Sequence, residues 1–133
     1  MRILNLVTLC VLISACATGF NPRYYYGSIE IDNLTGETIR NVRVEVGPGG
    51  HVLECAEVTK NRICHQRIGK QLYPQAEVML TWETADGRQM SAQENPAVPI
   101  TLVYSQPLRL LMDIAADGSV KFYFKQDDLH MND

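Results

Sequence analysis

From Gly27 onward, apolar and polar residues alternate one for one in five separate stretches. Ile29 and Ile31 alternate with Ser28, Glu30 and Asp32, and Val42, Val44 and Val46 alternate with Arg43 and Glu45. Val78, Leu80 and Trp82 alternate with Met79, Thr81 and Glu83. Leu108, Leu110, Met112 and Ile114 alternate with Arg109, Leu111 and Asp113; Val120, Phe122 and Phe124 alternate with Lys121 and Tyr123. Successive side chains of a strand point to opposite faces, so each stretch reads as a strand with one buried face. No helix-length window beyond the N-terminal segment carries a 3.6-residue period. The expectation is an all-β chain: one small antiparallel β-sandwich over 27–126, with a tail at 127–133.

Residues paired directly across a hairpin share a face, so loop length and register constrain each other. Pairing Ile114 with Val120, Met112 with Phe122 and Leu110 with Phe124 leaves the three-residue loop Ala116-Asp117-Gly118. Gly118 is then free to take positive φ. The same tripeptide at Ala85-Asp86-Gly87 pairs Trp82 with Met90 and Leu80 with Ala92. A hairpin about Thr35–Thr38 is expected to pair Ile31 with Val42 and Ile29 with Val44.

The N-terminus sets the compartment. Met1-Arg2 is a short positive region, and Ile3 to Ile13 is an uncharged, largely apolar run. As a helix that run covers roughly 17 Å, about half a bilayer core, which fits a signal peptide and not a membrane span. Leu12-Ile13-Ser14-Ala15-Cys16 then resembles the lipobox of bacterial lipoproteins. In that family the cysteine is linked to diacylglycerol, the peptide is cut before it, and the new amine is acylated. The resemblance implies that residues 1–15 are removed and that Cys16 becomes the lipidated first residue. Ala17, where the family often carries Asp for inner-membrane retention, implies the outer membrane, with the protein on its periplasmic face. Residues 16–26 read as the lipidated terminus and a tether reaching at most roughly 35 Å. Within it, Tyr24-Tyr25-Tyr26 suit either a membrane interface or the edge of the domain.

Cys55 and Cys64 are the remaining cysteines, and an oxidising compartment favours a disulfide between them. The rival reading is a metal site from His51, Cys55, Cys64 and His65, four N/S donors at unusual spacing. Twelve Lys plus Arg against fifteen Asp plus Glu leaves no basic excess for nucleic acid. No nucleophile elbow, metalloprotease helix, phosphate loop or calcium loop is present, so no cofactor and no catalytic residue is assigned.

The stretch Ile31-Asp32-Asn33-Leu34-Thr35-Gly36-Glu37-Thr38-Ile39-Arg40-Asn41-Val42-Arg43-Val44 resembles the opening of carboxypeptidase-regulatory or transthyretin-like sandwiches. That family places a hydrophobe, then Thr-Gly and a short turn, before an alternating strand. Asn41 stands where glycine is common in the family, and Thr38 where proline is. The resemblance implies a small sandwich of Ig-like topology, a scaffold that hosts mainly binding functions. The functional expectation is a lipid-anchored, non-enzymatic envelope module whose partner is the membrane together with an envelope protein or peptidoglycan. Its rivals are a hydrolase inhibitor using Gly47–Gly50 or Glu94–Pro99 as a plug, and a metal-handling lipoprotein using His51 and His65.

Overall fold

The computed structural model describes residues 24–99, 102 and 106–126, which hold eight strands and no helix. In chain order these are β1 (Tyr25–Leu34), β2 (Ile39–Val46), β3 (His51–Val58), β4 (Ile63–Leu72), β5 (Val78–Glu83), β6 (Gln89–Glu94), β7 (Leu108–Ala115) and β8 (Val120–Gln126). They form two four-stranded sheets, ordered β4-β1-β7-β8 and β3-β2-β5-β6. The apolar phase of each strand faces the other sheet, and Ile29, Ile31, Val44, Leu80, Leu110 and Met112 are fully buried between them. The all-β sandwich expected from the alternation is the observed architecture. Every pairing is antiparallel except β1 with β7, which is parallel. The lipobox cysteine Cys16, the signal segment 1–15 and the tail 127–133 lie outside the described residues.

Both three-residue hairpins form as their parity requires. Ile114 pairs with Val120, Met112 with Phe122 and Leu110 with Phe124. Trp82 pairs with Met90 and Leu80 with Ala92. Gly118 and Gly87 sit at φ 86° and 87°, the left-handed region where a side chain is strained.

The hairpin expected between β1 and β2 does not exist. The two strands belong to opposite sheets, and Ile31 pairs with Cys64 and Met112 rather than with Val42. The chain turns a corner at residues 35–38, and Asn33 holds it. This fully buried side chain donates through Nδ2 to the carbonyls of Glu37 (2.7 Å) and Val58 (2.9 Å). Its Oδ1 accepts from Thr35 N (3.1 Å) and Thr35 Oγ1 (2.6 Å). Its backbone completes the clamp: Asn33 N donates to Arg62 O at 3.0 Å and Asn61 N donates to Asn33 O at 2.9 Å. Each polar group is paired, as a buried amide demands.

The sandwich also begins before Gly27. Tyr25 and Tyr26 lie in β1, and Tyr24 and Tyr26 are buried, so these residues belong to the fold and not to a tether. An irregularity between Tyr26 and Ser28 switches the inward phase from even to odd numbers. Tyr26 meets Tyr73 edge-on at 6.0 Å, and Tyr73 meets Phe124 at 5.0 Å, closing this end of the core. Burial first, then the neighbouring Tyr26, pushes the Tyr73 hydroxyl up to about 12.

Cys55 on β3 and Cys64 on β4 are disulfide-bonded, with Cα atoms 6.6 Å apart. Each strand is the edge of its own sheet, so the bond ties the two sheets along one side. His51 Nε2 and Gln66 Oε1, 3.0 Å apart, join the same two edges farther along.

Candidate functional site

Strand directions give the sandwich two unlike ends. At one end β1 begins and β4, β6 and β8 finish; at the other lie the residue 35–38 corner and the β5–β6 and β7–β8 turns. The ten residues of β1 separate these ends by about 30 Å. The turns and the corner together enclose a cleft of ≈ 270 Å³. Its floor is Trp82 and Ile39, each 1% exposed, with Met90 half-buried beside them. Thr35, Glu37, Thr84, Arg88 and Asp117 supply the polar wall, and Ala85, Ala116 and Gly118 the backbone rim.

The twin Ala-Asp-Gly turns become neighbours here because one ends each sheet. Asp117 Oδ1 accepts from Ser119 N (2.9 Å) and Ser119 Oγ (2.6 Å). Asp86 accepts from Thr84 Oγ1, and from Arg88 Nε at 3.2 Å. Hydrogen bonds from Ser119 hold the Asp117 carboxyl below its ordinary range. Those from Thr84, and then Arg88, do the same for Asp86. Both carboxylates are therefore charged acceptors committed to their own turns, with no proton to give at neutral pH. Arg88 also donates its backbone N–H to Thr84 Oγ1 at 3.0 Å, which fixes the base of that turn. The arrangement offers an apolar slot with hydrogen-bonding walls, which suits recognition of a side chain or a small ring.

Gly118 shapes the slot. A Cβ built there would stand 2.8 Å from Met90 Cε, and its φ is already left-handed. Gly87 has the same φ but only Glu83 Oε1 at 4.0 Å. Gly118→Ala is expected to lower stability by about 1–2 kcal/mol in a denaturant titration. Gly87→Ala should fall at the low end of that range, and only the Gly118 variant should displace the Met90 methyl resonance.

The residues singled out from sequence lie elsewhere. Cys55 and Cys64 bond to each other, which leaves His51 and His65 without thiolate partners for a metal. His51 faces Gln66 at the sheet edge, whereas His65 pairs with Glu30 on β1 and is exposed. Among the described residues, no three His, Cys, Asp or Glu side chains are grouped to hold a metal ion. Gly47–Gly50 forms the tight β2–β3 turn, with Gly50 N donating to Gly47 O at 2.9 Å. The segment at residues 94–99 is drawn against Tyr73, whose Oη lies 3.4 Å from the Pro96 carbonyl. Both segments sit at the end where β1 begins, opposite the cleft.

No protein-family model matches the chain, and comparison with curated proteins gives no match. A protein from Eubacterium rectale with an NMR structure is similar to 84% of this chain and 98% of its own, with TM-score 0.48 and 11% identity.

Proposed function

We propose that the protein is a lipid-anchored, non-enzymatic module of the bacterial cell envelope, acylated at Cys16, which captures a partner in the cleft between its Ala-Asp-Gly turns. The observation that carries this reading is polarity: the cleft lies at the end of the sandwich opposite the start of β1. Only the eight residues Ala17 to Tyr24 separate Cys16 from β1, a reach of at most roughly 28 Å. A chain anchored at Cys16 therefore holds the Tyr25 end of its sandwich nearer the bilayer than the cleft end. The partner is an envelope protein or a cell-wall chain that presents an apolar group flanked by hydrogen-bonding groups. Both segments considered as inhibitory plugs lie on the membrane side of that arrangement, which speaks against a hydrolase plug.

Photo-crosslinking in intact cells tests the reading. A crosslinking residue at Ala85 or Ala116, on the cleft rim, is expected to give a discrete adduct. The same residue at Pro48, in the β2–β3 turn, should not give it. Equal adducts from both ends, or none from the cleft, would rule out capture there, and mass spectrometry of the N-terminal peptide reads the acylation of Cys16 separately.

A further inference from the structure

We propose that the outer face of the β4-β1-β7-β8 sheet, at the end where β1 begins, rests against the anionic headgroups of a bilayer. The inference deepens the anchored reading above and rests on it only for the orientation of the domain. Register identifies the residues. On β4, His65 and Arg67 pair with Glu30 and Ser28, which alternate with the core residues Ile29 and Ile31. Arg67 therefore lies on the outer face, and past the irregularity Leu72 does too, opposite Tyr25. On the other side of β1, Arg109 pairs with Ser28 and Lys125 pairs with Arg109, which extends the row across the sheet.

Charge along this face is basic at the Tyr25 end and mixed toward the cleft. Arg67, Lys70 and Lys125 are exposed and form no ion pair with a described residue. Arg109 is neutralised by Glu30 at 2.6 Å. Toward the cleft, Asp32 and Asp113 stand side by side as register partners with Glu30 nearby, and Lys121 pairs with Asp113 on its other side. Burial, then the charges of Asp113 and Glu30, push the Asp32 carboxyl upward. A negative surface thus favours the Tyr25 end, where exposed cations have no acidic register partner, over the cleft end, where acidic and basic side chains offset each other.

The apolar chemistry of the patch fits the same surface. Lys70 Nζ lies 4.6 Å from the centre of the Tyr25 ring, and Leu72, its ladder neighbour, is 47% exposed. A tyrosine and a leucine beside lysine and arginine make an interfacial combination: rings and aliphatic groups sit at headgroup depth while the cations meet phosphates. Each cation near such a surface contributes about fivefold to partitioning, so three unpaired ones contribute about a hundredfold.

The test uses the unacylated chain beginning at Ala17, which contains both complete sheets. It is sedimented with vesicles of phosphatidylcholine alone or of phosphatidylcholine plus phosphatidylglycerol, at low and high salt. Binding is expected only with phosphatidylglycerol and is expected to be lost in high salt. R67E/K70E should weaken it by about 25-fold or more. K60E/R62E carries the same change of charge in the β3–β4 turn at the cleft end and should bind as the parent does. Circular dichroism confirms that both variants keep the sheet. Absence of phosphatidylglycerol-dependent binding, or equal loss in the two double variants, overturns the proposal. If Cys16 proves acylated in cells and the vesicles are not bound, only the docking face is lost. If Cys16 is unmodified and the vesicles are bound, only the anchor is lost.

Discussion

Asn33→Ala is expected to destabilise the sandwich by about 2–4 kcal/mol, a large share of the net stability of a small domain. The loss exceeds that of a surface hydrogen bond because of what remains behind. Truncation strips the Val58 and Glu37 carbonyls of their 2.9 Å and 2.7 Å donors, and Thr35 of the acceptor for its N–H and hydroxyl. An unmet buried polar group is penalised by about 1–3 kcal/mol, and the Val58 carbonyl becomes one, while the exposed Glu37 carbonyl keeps Thr35 Oγ1 at 2.9 Å. Asn33→Asp separates volume from donation. It preserves the acceptor for Thr35 but aims a second oxygen at two carbonyls, so it should be no more stable than the alanine variant. An unfolding free energy from chemical denaturation within about 1 kcal/mol of the parent for either variant would remove Asn33 from its place as holder of the corner.

Reducing the Cys55–Cys64 bond, or replacing both cysteines with serine, is expected to lower stability by roughly 2.5–3 kcal/mol and Tm by roughly 10–20 °C. The loop it closes spans a sequence separation of nine, and loop-closure entropy of the unfolded chain sets that figure. Calorimetry with and without reductant measures it. A Tm unchanged by reduction would mean that the β3 and β4 edges stay together without the bond, through groups such as His51 and Gln66.

What the sequence disclosed was local. The β5–β6 and β7–β8 registers were legible because alternation and a three-residue loop leave one self-consistent pairing. β3 and β4 were not, because their inward phase is thin: Leu53 and Val58 are the buried side chains of β3, and β4 has none that is fully buried. The start of β1 was hidden by the phase switch at Gly27, which makes Tyr24 and Tyr26 look out of step with Ile29 and Ile31. The corner was misread as a hairpin because the same alternation serves strands that pair and strands that face each other across a core. One signal was available: position 33 continues the inward phase of Ile29 and Ile31, and an asparagine in that phase requires partners. Asp86 and Asp117 were legible as turn residues. That their turns lie together over Trp82 was not, since it depends on two hairpins from different sheets.

The covalent link between β3 and β4 runs along one flank only, while β6 and β8 form the other flank and meet their neighbours without such a bond. The two layers are thus bound like a book along a single spine, and the fore-edge is where they part most easily. The Gly118–Met90 approach lies on that fore-edge, at the mouth of the cleft. Under the capture proposed above, a guest wider than the resting slot is expected to spread the covers at this fore-edge, while the disulfide spine and the corner clamped by Asn33 hold.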